Sequence, residues 1–300
     1  MSTASTTFNG FQQGNASTLH PTQPFLWSIR REFWEFRSIY IAPLGVALLV
    51  LFSFVVSMAR VTHQAQPMTE AEVIQRPYNF AALFLMGICF VVSIFYCLEA
   101  LSTERRDRSI LFWKSLPISD FTTVLTKFSI PIVVLPVIAV VLTIVTHVIM
   151  LLLNSAVLLA NGQSVNMLWS SLPLGQMWMM QAYHMLVLHG LWFAPVYGWL
   201  LLMSAWAGRL AILWAVVPFV VIGVFEKMLF NSEHFGHWMM YRFGGAPASN
   251  AYPGGHMAMH EWAHLHFAEV LFNPSLWAGL IAAAVFLFLT ARVRRSRGPI

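Results

Sequence analysis

Six predominantly apolar runs divide this chain: Ile39 to Met58, Phe80 to Leu101, Phe128 to Leu153, His184 to Trp206, Leu210 to Phe230 and Pro274 to Ala291. Coiled as an α-helix, each reaches across about 30 Å of bilayer hydrocarbon. Inside that layer every backbone N–H and C=O needs an internal partner, so only helices and closed barrels cross it. The runs lack the alternation and turn spacing of barrel strands. They predict an all-α integral membrane protein with six transmembrane helices. Composition agrees, since charged residues are 10% of the chain, against about 25% in an average soluble one.

The segments outside the runs fill in the plan. Residues 1–24 are rich in Ser, Thr, Asn and Gln and read as a disordered cytoplasmic tail. They lack the basic-then-apolar order of a cleaved signal peptide. Residues 25–291 form the membrane domain, and residues 292–300 a basic cytoplasmic tail. From Phe25 to Arg37, aromatic residues (Phe25, Trp27, Phe33, Trp34, Phe36) mix with Arg30, Arg31, Glu32, Glu35 and Arg37. That mixture is too charged to span. It suits an N-terminal interfacial helix with aromatics at headgroup depth, in preference to a plain extension of the first span.

Lysine and arginine placement orients the chain. With the N-terminus inside, thirteen of the 17 basic residues lie on inner segments, and only Arg60, Arg76, Lys227 and Arg242 lie outside. The positive-inside rule then puts both termini in the cytoplasm. The net charge of +5 does not point to nucleic acid, because the basic residues flank apolar runs and form no stripe on a folded domain. Cys89 and Cys97 stand eight residues apart in one run, too far along a helix to bridge, and read as small buried hydrophobes.

Between the second and third runs lies Glu104-Arg105-Arg106-Asp107-Arg108-Ser109-Ile110-Leu111-Phe112-Trp113-Lys114-Ser115-Leu116-Pro117. Its charges must stay outside the hydrocarbon. One end is charged, the middle is bulky and aromatic, and Pro117 closes it. A short helix of this kind suits a groove on a soluble partner, with apolar anchors for affinity and charges for register. An amphipathic loop lying on the lipid surface fits the same residues equally well.

This segment, carried on to Ile118-Ser119-Asp120, resembles the first cytoplasmic loop of bacterial ABC-2-type exporter permeases. The likeness in wording covers about residues 99 to 127. In layout, it extends to the polar N-terminus, the interfacial helix, the six spans and the long outer loop before the sixth. The resemblance implies a cytoplasmic coupling helix docked on an ATP-binding subunit. Glu104, Arg105, Arg106, Asp107, Arg108, Ser109, Ile110, Phe112, Trp113 and Lys114 would form the contact, with Ile110, Phe112 and Trp113 as apolar anchors. It further implies a second permease copy or homologue, a bacterial inner membrane, and no catalysis in this chain. No Gly-x-x-x-x-Gly-Lys-Ser/Thr pattern occurs, so ATP and Mg belong to the partner ATPase. The chain itself would hold no cofactor and touch only that ATPase, its second copy and lipid.

A second constellation points elsewhere. His260-Glu261-Trp262-Ala263-His264 matches His-Glu-x-x-His, which on a helix holds zinc beside a general base. His256, His260 and His264 recur every four residues and are the metal-binding candidates. They lie in the outer loop 231–273, where a helical segment with histidines facing water is the plainer reading. The alternatives to a permease are thus a membrane metalloprotease or metal-binding protein, and a non-transporting anchor subunit. Glu99 is expected to pair with a loop arginine, and His147 and His189, inside spans, to bond neighbouring helices as neutral rings. Few charges in the spans favour an apolar or amphipathic cargo over a small ion. The sequence names no particular substrate.

Overall fold

The structure, a computed structural model, describes residues 23–61, 71–107, 109, 119–207, 210–243 and 271–296. Every element among them is helical. In chain order these are α1 (Gln23–Glu35), α2 (Ser38–Val61), α3 (Ala71–Glu99), α4 (Ser102–Arg106) and α5 (Asp120–Ser129). A π-helical stretch, π1 (Ile130–Val134), leads into α6 (Leu135–Ala160). After the short α7 (Asn166–Ser171) come α8 (Leu174–Tyr183), a second π-helical stretch π2 (His184–Trp192) and α9 (Ala194–Ala207). The rest is α10 (Ala211–Phe230), α11 (His234–Phe243) and α12 (Pro274–Ser296).

Five helices are long and apolar enough to cross a membrane: Ser38–Met58, Ile74–Arg106, Asp120–Ala160, Ala211–Phe230 and Pro274–Ser296. Residues Asn166–Trp192 with Ala194–Ala207 make a sixth if the pair, bent by 51°, counts as one span. The helices outrun the apolar residues that predict them. The third candidate begins at Asp120 and not at Phe128, because Ser119 caps it: the Thr122 N–H donates to Ser119 Oγ at 3.0 Å. The last continues to Ser296, so residues 292–296 are helical and not a free tail. The tail expected at residues 1–24 lies outside the described residues, apart from Gln23 and Pro24, which open α1.

Packing centres on one large cluster where α2, α3, α6 and α9 meet, with Ile39, Cys89, Tyr96, Ile130 and Tyr197 buried. Both cysteines are free and buried there. Helices α9 and α12 pack along each other. By contrast α10 has only 6% of its apolar window covered by the rest of the chain.

The two π-helical stretches touch. Pro136 has no N–H to close an α-turn onto the Ile132 carbonyl. Within π1 the Leu135 N–H reaches back five residues to Ile130 O. The Ile132 carbonyl faces Gly190 of π2, where a Cβ would stand 2.9 Å from that oxygen. Only glycine allows this approach. Next to it, Ser93 Oγ and Tyr197 OH lie 3.4 and 3.2 Å from His189 Nε2. His147 is fixed similarly: the Trp178 indole N–H donates to its Nδ1 at 3.3 Å, leaving Nε2–H to donate to Tyr78 O at 2.9 Å. Both rings are thus bonded to neighbouring helices.

At the end of the bundle away from α1, Glu226 caps α11, accepting from Ser232 Oγ, His234 N and Phe235 N at 2.8 to 2.9 Å. Arg242 stacks 4.5 Å above the Trp192 ring, in space left by Gly279.

Candidate functional site

Four sequence-distant elements gather their charges at the α1 end. Helix α1 brings Arg31 and Glu32, α4 brings Glu104, α5 brings Asp120 and Lys127, and the last turn of α12 brings Arg294. Glu32 and Lys127 are fully buried. Such groups are removed from water at a cost of several kcal/mol each, roughly, and survive only where partners replace the solvent.

Those partners are present. Lys127 Nζ lies 3.0 and 3.1 Å from the two oxygens of Glu32 and 3.0 Å from Glu104 Oε1. Arg31 Nη2 donates to Glu32 Oε1 at 2.6 Å and to Glu104 Oε1 at 2.9 Å. The Tyr96 hydroxyl donates to Glu32 Oε2 at 2.8 Å. Arg294 bridges outward, donating to Glu104 Oε2 at 3.3 Å and to Asp120 Oδ1. Arg31 Nε also pairs with Glu35 Oε2 at 3.5 Å. Each buried carboxylate thus meets at least two cations, and each cation at least two carboxylates.

The geometry excludes the bland explanation of solvated charge and also a simple metal centre. Ligand oxygens of Glu32, Glu35 and Glu104 come within 4.8 Å of one another, as a metal's ligands would. The Lys127 ammonium and the Arg31 guanidinium already stand against those oxygens and offset most of their charge. What the arrangement does chemically is hold four helices in register. Buried ion pairs contribute little net stability over apolar packing, but removing one partner is costly.

A second set of bonds anchors the same segment to α9. Ser204 Oγ accepts from the backbone N–H groups of Leu101 and Ser102, both at 3.1 Å. Arg105 donates to the Ala205 carbonyl at 2.8 Å. The start of the predicted docking segment is therefore bonded to α1, α5, α9 and α12 at once.

Of the residues named from the sequence for partner contact, Glu104 and Arg105 point into the chain and are buried. Arg106 and Asp107 point out, 75% and 59% exposed, and pair weakly at 3.5 Å. The Ser109 hydroxyl donates back to Glu104 O at 3.3 Å. Arg108, Ile110, Phe112, Trp113 and Lys114 lie outside the described residues, as do His256, His260, Glu261 and His264. Glu99 is exposed and makes no ion pair among the described residues. The carboxylate that meets arginines is Glu104, five positions on, paired with Arg31 at 2.9 Å and Arg294 at 3.3 Å.

Sequence reasoning missed Glu32, Lys127, Asp120, Arg294 and Tyr96 as one unit. A signal existed: Lys127 stands immediately before an apolar run, and a lone charge there calls for a partner. No family model, curated protein or solved structure matches the chain.

Proposed function

We propose that this chain is the membrane permease subunit of an ATP-driven ABC exporter of the ABC-2 type, with the ATPase on a separate protein. In this reading the α1 end is cytoplasmic, α1 lies at the inner interface, and the bent pair is the fourth of six spans. The segment from Glu104 to Lys114 docks on the ATPase, which supplies ATP and Mg. A second copy or a homologue completes the pathway, and the sparsely covered α10 offers apolar surface for it.

The observation that carries the reading is the ion network itself. A loop meant only to join two spans has no need of buried bonds to four other helices. A loop that receives a push does need them. Glu104 passes displacement to α1 through Arg31, to α5 through Lys127 and to α12 through Arg294. The exposed Arg106 and Asp107 remain free to meet the partner. An ATPase cycle shifts such an element by binding its two arrangements with different affinity.

The test is co-purification with a candidate ATPase, together with transport-coupled hydrolysis. Trp113→Ala with Arg106→Ala is expected to abolish assembly. Unchanged assembly and coupled activity in that double variant would refute the docking role.

A further inference from the structure

The network sorts charge at the α1 end. Glu32 and Glu104 are drawn inward against Lys127, Arg31 and Arg294, while Arg30 and Arg37 stay exposed and form no ion pair among the described residues. Just beyond Arg37 runs an outward-facing groove of about 380 Å³ between α2 and α6. Tyr40 and Leu44 form one wall, Val137 and Val141 the other, and Phe33 of α1 closes the end. Tyr40 and Leu44, four residues apart, share one face of α2, and Arg37 stands in the turn just before that helix. The Tyr40 N–H bonds to the Arg37 carbonyl at 3.3 Å, which keeps that register through the start of α2.

The groove is therefore an apolar trough, and the exposed Arg37 precedes its wall residue Tyr40 by three positions. A single extended hydrocarbon chain fits it, and an anionic headgroup would complement the arginine. We propose that the trough seats one acyl chain of an anionic bilayer phospholipid, whose phosphate is held by Arg37. The lipid would wedge between α1, α2 and α6, beside the helices that the ion network joins. This rests on the chain's spanning a membrane and not on its having an ATPase partner.

The experiment is native mass spectrometry of the purified full chain from mixed micelles. These contain phosphatidylglycerol and phosphatidylcholine of identical acyl chains. Wild type is expected to retain phosphatidylglycerol about fivefold over phosphatidylcholine, the factor expected for one arginine at an anionic surface. Arg37→Ala should bring the ratio close to parity. Val141→Trp, which fills the trough, should remove retention of both lipids, and Leu44→Trp provides the same test should the first variant not fold. No preference in wild type overturns the proposal, as does a preference that survives Arg37→Ala. Retention unchanged by both tryptophan variants means headgroup contact without a seated chain, and overturns it too. No ATPase enters the assay, so its failure is separate from failure of the exporter reading.

Discussion

The Lys127 ammonium lies 3.0 and 3.1 Å from the two carboxylate oxygens of Glu32, across 95 residues of sequence, with both side chains fully buried. This pair joins α1 to the third candidate span. Lys127→Met would leave Glu32 and Glu104 sharing Arg31 alone, with one buried negative charge uncompensated between them. Destabilisation by about 3 to 5 kcal/mol is expected, read as a lower thermal midpoint in detergent. Adding Glu32→Gln to Lys127→Met should recover part of the loss, since the two residues share one interaction. Equal midpoints for wild type and Lys127→Met would remove the network from any structural role.

The contact between π1 and π2 gives a second test. A methyl at position 190 would meet the Ile132 carbonyl at 2.9 Å, whereas a methyl at position 87 of α3 meets nothing within 4 Å. Gly190→Ala is expected to destabilise by about 1 to 3 kcal/mol through overpacking. Gly87→Ala should be neutral or slightly stabilising, because alanine is the better helix former. A thermal-shift comparison of the two variants separates close approach from a general effect of glycine.

How much of this was legible beforehand depends on the length scale of the signal. Runs of about twenty apolar residues specify helices through the bilayer's demand for internal hydrogen bonds, and the helices follow those runs. The bend around Phe193 was foreshadowed only by Pro195, and the π stretch at Ile130 only by Pro131 and Pro136, which fit a simple kink equally well. The inward turn of Glu104 was not readable. Helix α4 has five residues, too few for a face to show in the sequence. Neighbours of similar polarity, Glu104 and Arg105 against Arg106 and Asp107, part company because Arg31, Lys127 and Arg294 meet Glu104 and the Ala205 carbonyl meets Arg105. Pairing between distant charges is a tertiary fact. The isolated charges beside apolar runs announced that partners exist without saying which.

His147 offers a spectroscopic check. With the Trp178 N–H donating to Nδ1, the ring is held as the Nε2–H tautomer. Nitrogen-15 shifts of labelled histidine at neutral pH should show an unprotonated Nδ1 for this residue. Trp178→Phe frees that nitrogen and is expected to cost about 1 kcal/mol, the typical net worth of one hydrogen bond. A protonated Nδ1 in wild type would contradict the geometry.

Ser204 tests the anchor on α9. Its hydroxyl oxygen is the acceptor for two backbone N–H groups, those of Leu101 and Ser102. Ser204→Ala leaves both in a buried setting without that acceptor, at a cost of about 1 to 3 kcal/mol. The loss should be local. Amide exchange at residues 101–107 should accelerate while exchange in α6 stays as in wild type. Uniform acceleration would mean that the bonds serve the whole fold and not this segment.

Arg294 separates docking from transmission. From α12 it joins Glu104 to Asp120. It is buried at the far side of α4 from the exposed Arg106, so a soluble partner does not reach it. On the exporter reading, Arg294→Gln should therefore leave ATPase assembly intact and lower substrate-stimulated hydrolysis, because displacement of the loop no longer reaches the last span. Arg294→Lys keeps the charge but not the two-pronged geometry that holds two carboxylates. It should restore folding stability more fully than coupling. Trp113→Ala should do the reverse and lose assembly first. If Arg294→Gln and Trp113→Ala fail in the same way, the network and the docking surface are one unit, and α4 does not act as a lever between them.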